Sequence, residues 1–153
     1  MADTTKKRKW LKWTLLSLLV LAIAGAVIVW RIFTDTFSDT SGLKPDYTLN
    51  ARDLIADFQK SDSAANRKYA EKLILVRGVV TEVEKADTTV NIKMADTTTG
   101  AYIIFAFQQQ HLAEAKTIKE GDSVAIKGSC SGGAYSQILE TEFITFKRST
   151  LVK

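Results

Sequence analysis

LILVRGVVTEV, residues 73–83, is the stretch that decides the fold. It is rich in β-branched residues over eleven positions, which predicts an extended strand. Gly78 lies near its middle, where a glycine permits a sharp bend or a bulge. Such a bend would let one long strand take part in both halves of a small barrel. A strand glycine without a barrel is the alternative.

Two further strands follow this stretch. In residues 90–94, Asn91 and Lys93 alternate with apolar residues, which is typical of a half-buried strand. The next strand, AYIIFAF at 101–107, is apolar on both faces. Because one alternating set is bulkier, we predict that this set faces inward: Ile103, Phe105 and Phe107, with Tyr102, Ile104 and Ala106 outward.

The remaining elements complete a recognisable order. QQQHLAEAKTI at 108–118 predicts a helix, SVAIKG at 123–128 a fourth strand, SCSGGAYS at 129–136 a loop, and QILETEFITFK at 137–147 a fifth strand. Three strands, a helix and two strands are the order of the OB-fold. We therefore predict a mainly β protein with a five-stranded Greek-key barrel and a helix between strands 3 and 4. An SH3-like barrel or an open α+β sheet explains that helix less naturally.

Two helices should precede the barrel. Asn50 is a candidate helix cap, with Asp53 three residues later in the first turn, and Leu54, Ile55 and Phe58 give one apolar face. A second helix is expected over about residues 61–72. We expect both helices to pack on the sheet.

The N-terminal region contains an apolar segment. Residues 13–30 carry no charge and would cover roughly 27 Å as a helix, close to the thickness of a hydrocarbon core. Trp10, Trp13 and Trp30 bracket it, as membrane-interface residues do. We predict a transmembrane helix at 13–33. A cleaved secretory signal is the alternative, because 22–24 (Ala-Ile-Ala) resembles a cleavage site.

The flanking charges predict the orientation. Five cationic residues precede the segment and few follow it closely, which favours a cytoplasmic N-terminus. The predicted organisation is a cytoplasmic basic leader at 1–12, the span at 13–33 with the lipid bilayer as its partner, a linker at 34–46 and the OB domain at 47–153. The expected location is a bacterial inner membrane, crossed once, with the C-terminal domain extracytoplasmic.

The net charge of +4 is unevenly distributed. Residues 1–31 contain six basic residues and one acidic residue, whereas residues 32–153 contain fifteen basic and sixteen acidic residues. The C-terminal part therefore has a charge of −1 and lacks the positive field on which non-specific phosphate binding relies. This balance argues against nucleic acid as a partner.

Three segments resemble the bacterial tRNA_anti-like family. They are AANRKYAEK at 64–72, the valine-rich strand with Gly78, and IKGSCSG at 126–132. The resemblance covers about residues 47–147, and the positions matched to the family pattern are Tyr69, Lys72, Gly78, Gly128, Cys130 and Gly132. It implies an OB-fold domain, often exported or membrane-attached, of undefined activity. The family name refers to anticodon-binding domains, but fold does not fix function.

No residue pattern indicates catalysis, a metal site or a cofactor. His111 is the only histidine and Cys130 the only cysteine, and neither has a partner base or ligand nearby in sequence. A mixed or intermolecular disulfide is the one functional option for Cys130. The carboxylates at 53, 57 and 62 are expected to cap and solvate helices. We expect a non-enzyme.

The candidate ligand-binding residues come from the usual OB surface, which is the face of strands 2 and 3 with its flanking loops. On the predicted alternation, that face presents Asn91, Lys93 and Tyr102, and Tyr135 arrives from the last loop. Two tyrosines and a lysine can stack on and clamp a base, a sugar or a peptide. The same residues also occur on an ordinary solvated sheet face.

Two functions from different classes follow. The first is a membrane-anchored, extracytoplasmic OB module that binds a protein, peptide or small ligand. The second is a protein that binds single-stranded nucleic acid, which only the fold and the family name support. A third, weaker possibility is an accessory domain that acts through helix contacts of its anchor, because Gly25 lies among alanines.

Overall fold

The computed structural model describes the backbone of residues 4–34 and 39–152 and the side chains of residue 13, residues 16–31 and residues 39–152. Contacts divide the chain into two compact units, Met1–Ser38 and Asp39–Lys153. The first contains helix α1, Thr4–Thr34. The second contains all the described strands and three further α-helices.

The second unit is built on one seven-stranded sheet. Its strands are β1 (Tyr47–Asn50), β2 (Leu73–Val79), β3 (Glu82–Lys85), β4 (Val90–Ala95), β5 (Tyr102–Phe107), β6 (Ser123–Ser136) and β7 (Thr141–Val152). The order across the sheet is β1-β2-β6-β7-β5-β4-β3. The β1–β2 and β5–β7 pairs are parallel and the others antiparallel. The mainly β fold is as predicted, but the number of strands is seven rather than five.

The difference in strand number has a physical cause at Val80 and Thr81, the two residues between β2 and β3. The Val80 N–H donates to the Asp122 carbonyl (2.9 Å), on the side of β6, whereas the Thr81 N–H donates to the Lys93 carbonyl of β4 (2.9 Å). The predicted first strand is therefore one bent strand in two pieces. Because those pieces pair with opposite ends of the sheet, the sheet closes into an OB-like barrel, and β1 is an additional strand.

Gly78 has a different role from the predicted bend, which occurs two residues later. It lies where helix α2 (Ala51–Lys60) meets the end of the barrel. A Cβ at this position would come within 2.8 Å of Met94 Sδ and 2.9 Å of Ala51 Cβ. Gly78 therefore allows close packing between helix and barrel, and the fully buried Leu54, Ile55 and Phe58 cover the core as predicted.

The prediction of a loop at 129–136 and of a fifth strand from 137 is wrong. Strand β6 continues through Ser136, residues 137–140 form a turn, and β7 starts at Thr141. The β6–β7 ladder has bulges between Lys127 and Ser129 and between Cys130 and Gly132. At each bulge the register shifts, and the two strands of the long hairpin continue to pair beyond it.

The helices are shorter than predicted. Helix α3 is Asp62–Tyr69, and its cap residue, Ser61, accepts a hydrogen bond from the Ala64 N–H (3.4 Å). The helix predicted between strands 3 and 4 of the barrel lies between β5 and β6. It consists of a 3₁₀ turn, Gln109–His111, and helix α4, Leu112–Ala115. Its position in the strand order is as predicted.

Residues 39–46, here named the strap, belong to the barrel unit although we assigned them to the linker. Lys127 of β6, only 6% exposed, donates to the carbonyls of Ser41 (2.8 Å) and Leu43 (2.7 Å). The Thr40 hydroxyl donates to the Arg148 carbonyl of β7 (2.7 Å). At the other end, the Asp46 N–H donates to the Leu73 carbonyl (2.7 Å). Linker positions 35–38 lie outside the described residues.

Helix α1 coincides with the segment predicted to cross a membrane. The side chains of residues 16–31 are exposed along the whole stretch, including Leu19, Ile23 and Ile28. Among the described residues, no helix has both the length and the apolar character needed to cross a membrane. The predicted span at 13–33 is therefore not confirmed, and its side chains at 14, 15, 32 and 33 lie outside the described residues.

Candidate ligand-binding face

The candidate face is the outward side of strands β3, β4, β5 and β7. On β4 and β5, Ile92, Met94, Ile103 and Phe105 are at most 1% exposed, and they point into the barrel. Their neighbours therefore point outward and are half-buried. The inward and outward sets on both strands are as predicted.

The register of the sheet brings three of the four predicted site residues together. Glu82 of β3 pairs with Lys93 of β4, and Lys93 pairs with Ile104 of β5. One step along, Tyr102 lies between Ala95 of β4 and Phe143 of β7. Asn91 lies at the other end of the same outward row on β4.

Lys93, which lies on β4 in this face, is neutralised by a neighbouring carboxylate. Lys93 Nζ is 2.6 Å from Glu82 Oε2, and this hydrogen bond raises the pKa of the lysine. The same ammonium lies 5.1 Å from the centre of the Tyr102 ring. Lys93 is therefore held in place between a carboxylate and an aromatic face, as in a cation–π contact.

An aromatic platform and a second carboxylate complete the face. The rings of Tyr102 and Phe143 stack with centroids 6.3 Å apart. Asn91 Nδ2 donates to Glu84 Oε2 at 3.3 Å. The platform can pack against an aromatic or apolar ligand group, and the glutamates can accept hydrogen bonds from it.

Tyr135 lies away from the other three predicted residues. It pairs with Glu142 on β7, one position from the Ala134–Phe143 pair. Because side chains alternate along a strand, Tyr135 is on the opposite side of the hairpin from Phe143 and Tyr102. It is 54% exposed.

Glu82, Glu84 and Phe143 also belong to this face, although they were not among the predicted site residues. The two glutamates alternate with Val83 after the predicted bend, and an antiparallel partner places them opposite Asn91 and Lys93. That alternation is visible in the sequence. Phe143 could not be placed because the start of the last strand was misassigned.

Several titratable residues outside this face have structural partners or are buried. His111 Nε2 is 2.9 Å from Asp39 Oδ1 of the strap, a bond that holds the Asp39 pKa well below its usual range. Asp57 accepts a hydrogen bond from the Tyr69 hydroxyl (2.6 Å), which lowers its pKa. Cys130 is fully buried, and burial raises the pKa of its thiol. Within the described residues, no group of three or more His, Cys, Asp or Glu could hold a metal ion.

A cavity of about 480 Å³ lies at the rim of the barrel, beside the start of α2. Arg52 and Arg77 line it, but so do Asp53 and Asp96. Its charges therefore balance, and it offers no strong preference for an anion or a cation. The aromatic platform makes the outward face the better candidate.

Comparison with known proteins agrees with the OB-like architecture. A structure described as a "putative nucleic acid-binding lipoprotein" from Klebsiella pneumoniae is 18% identical, with a TM-score of 0.55, over 69% of this chain and 91% of that one. Asparaginyl-tRNA synthetase from Pyrococcus horikoshii is 12% identical, with a TM-score of 0.38, over 56% of this chain and 21% of that one. At 18% identity, the likeness to the Klebsiella structure concerns the fold alone. No curated protein matches the chain.

The family comparison covers much more of the chain. The model of the tRNA_anti-like family matches residues 1–141, which include α1, the strap and every strand up to the start of β7. This match confirms the resemblance found in the sequence. The chain therefore belongs to the tRNA_anti-like family.

Proposed function

We propose that this protein is a membrane-anchored, extracytoplasmic OB module that binds a protein segment, peptide or small ligand and does not catalyse a reaction. The ligand-binding residues are Asn91, Lys93 and Tyr102, joined by Phe143 and the two glutamates of β3. Tyr135 is left out because it is on the other side of the hairpin.

The charge of the outward face is the observation that carries this proposal. Its lysine is already paired with Glu82, and Glu84 adds a second carboxylate next to Asn91. A polyanion would gain little there, because its phosphates would compete with Glu82 for Lys93 and meet Glu84. A ligand with hydrogen-bond donors or a cation beside an aromatic group matches both the glutamates and the Tyr102–Phe143 platform.

The test is a titration of the full chain in detergent with fluorescent peptides that carry arginine and tryptophan. We expect saturable binding that Tyr102→Ala weakens at least about tenfold, equivalent to about 1.4 kcal/mol. Glu82→Gln should also weaken it. Tyr135→Ala is the matched control, and it should leave the affinity unchanged. Equal losses in Tyr102→Ala and Tyr135→Ala would contradict the assignment of the face.

The second candidate ligand is single-stranded nucleic acid. The family name and the description of the Klebsiella protein support it, as does the stacked aromatic pair, on which bases can stack. The same full-chain sample, titrated with labelled single-stranded oligonucleotides at low and moderate salt, separates the two candidates. Tight binding with a steep salt dependence would overturn our preferred function.

The anchor is proposed from the sequence of the first unit. Residues 13–30 are uncharged, five cations precede them, and the side chains of residues 16–31 are exposed. An apolar surface of this length in contact with water is unfavourable, and a bilayer would cover it. A tag at the C-terminus should be cleaved by protease added to intact spheroplasts of a bacterial host. A protected tag would place the barrel in the cytoplasm and refute the proposed orientation.

A further inference from the structure

One face of helix α3 packs against the outer half of the β6–β7 hairpin, which is the part formed by residues 133–143. Asp62 and Asn66 are four residues apart and share that face. Asn66 Nδ2 donates to the Gly133 carbonyl (2.8 Å), and the Gly133 N–H donates back to Asn66 Oδ1 (3.0 Å). This pair of bonds fixes the hairpin on α3 close to Glu142 of β7.

Glu142 is an unusual residue at this contact. It is only 6% exposed, and its Oε1 atom is buried without a hydrogen-bond partner among the described residues. The carboxyl group of Asp62 on α3 lies beside it and raises its pKa. Two carboxyl groups can form a hydrogen bond only if one of them carries a proton. The contact between helix and hairpin therefore contains a proton site.

We propose that Asp62 and Glu142 form a proton-operated latch that holds the outer half of the β6–β7 hairpin against α3. With a proton on Glu142, the pair is joined by a hydrogen bond. Without it, two negative charges face each other in a buried contact, and the hairpin separates from α3 more often. The latch does not depend on which ligand the outward face binds.

The direction of the pH effect follows from the environment of Glu142. Burial first, and then the charge of Asp62 and the hydrogen bond with it, raise the pKa of Glu142 from 4.5 to about 6. The folded-state pKa lies above the unfolded-state value. The latch therefore contributes fully below pH 4.5, and its contribution is lost as the pH rises through about 6.

Neither carboxylate of the latch has an ion-pair partner among the described residues. Tyr135, which is not a cation, is the residue opposite Glu142 on β6. The other carboxylate of the hairpin, Glu140, lies exposed in the turn.

The experiment is hydrogen–deuterium exchange of the full chain in detergent at about pH 5 and pH 7.5, corrected for intrinsic exchange rates. We expect the protection of residues 133–143 to fall on the order of tenfold at the higher pH, because Glu142 loses its proton and the two carboxylates then repel each other. The protection of strand β4 should change much less between the two pH values. Glu142→Gln keeps a hydrogen-bond donor without a titrating proton, so the hairpin should stay protected at both pH values.

Glu140→Gln is the matched control, because it removes a carboxylate from the same hairpin without touching the latch. It should keep the pH dependence of the parent protein. Asp62→Asn is a second test of the latch. We expect it to lower the pH at which the protection of the hairpin falls. Unchanged protection of the hairpin between the two pH values, or the same change in Glu142→Gln as in the parent, would overturn the proposal.

Discussion

Lys127 is an amine buried in the wall of a barrel, and its partners are backbone carbonyls of the strap. Lys127→Met keeps most of the apolar stem and removes both hydrogen bonds. We expect a loss of about 1–3 kcal/mol in the free energy of unfolding, the usual range for hydrogen bonds of a charged group. Urea unfolding of the full chain measures it. Lys119→Met, at an exposed position, should change the stability little; an equal loss would exclude a specific role for Lys127.

Gly78 gives a second prediction at the residue scale. Gly78→Ala brings a methyl group within 2.9 Å of Ala51 Cβ, which is fixed on the backbone of α2. We expect about 1–3 kcal/mol of destabilisation from overpacking. Because the clash is with Ala51, Ala51→Gly should cost less in the Gly78→Ala background than alone. Thermal unfolding of the four proteins of this double-mutant cycle measures the coupling. Additive effects would contradict the clash.

Predictability differs sharply from residue to residue. The inward set on β4 and β5 could be predicted because strand alternation is a local pattern. Asn50 was correctly placed as the residue before α2, but its amide donates to Asp53 Oδ2 (3.3 Å) rather than capping the backbone. The burial of Lys127 could not be predicted, since it depends on carbonyls more than eighty residues away in the sequence.

Helices α2 and α3 are joined by a hydrogen bond between Tyr69 and Asp57. Tyr69→Phe should lower the stability at neutral pH by about 1–3 kcal/mol, because the acceptor is charged. The bond lowers the pKa of Asp57 below 3.8, so its contribution is present above that pH and is lost as the pH falls through the lower folded-state value.

Chemical denaturation between about pH 3 and pH 7 tests this prediction. The difference between the parent and Tyr69→Phe should be smallest at the acidic end. Tyr47→Phe is the control, since Tyr47 packs edge-on against Tyr69 with ring centroids 5.3 Å apart. If the loss in the free energy of unfolding of Tyr69→Phe does not vary with pH, the hydrogen bond to Asp57 is not its cause.

At the scale of elements, strands with a clear alternation were predictable and those with bulges were not. The segment 129–136 is rich in serine and glycine, which locally indicates a loop. It becomes a strand because β7 pairs with it along its whole length. The bulges accommodate the shifts in register between β6 and β7. Helix α4 is shorter than predicted because only Leu112–Ala115 holds α-helical backbone after the 3₁₀ turn.

The fold as a whole can be probed through its single thiol. The Cys130 side chain is fully buried, and the backbone of Cys130 is held by hydrogen bonds with the Lys72 carbonyl and the Glu71 N–H. Its raised pKa keeps the thiol protonated. We expect reaction with an aromatic disulfide reagent to be at least about 100-fold slower in the native full chain than in urea. Rapid native labelling would show that β6 opens locally.

The architecture was largely accessible from the sequence, whereas the candidate site was accessible only in part. The order of strands and helix identified an OB-like barrel, because three strands, a helix and two strands are the order of that fold. Asn91, Lys93 and Tyr102 come together because they occupy outward positions of adjacent strands. The ion pair of Lys93 with Glu82 and the stacking of Tyr102 on Phe143 depend on sheet register, which the sequence pattern does not specify.

The strap also determines how the barrel would respond to mechanical force. A pull on the chain from the N-terminal side reaches Thr40, the Lys127 amine and Asp46 before it reaches β2, because these contacts come first along the polypeptide. These hydrogen bonds join the strap to β7, β6 and β2, so they bear the load first. We therefore expect the strap to detach and extend first under force, while the strands of the sheet and their outward face remain folded.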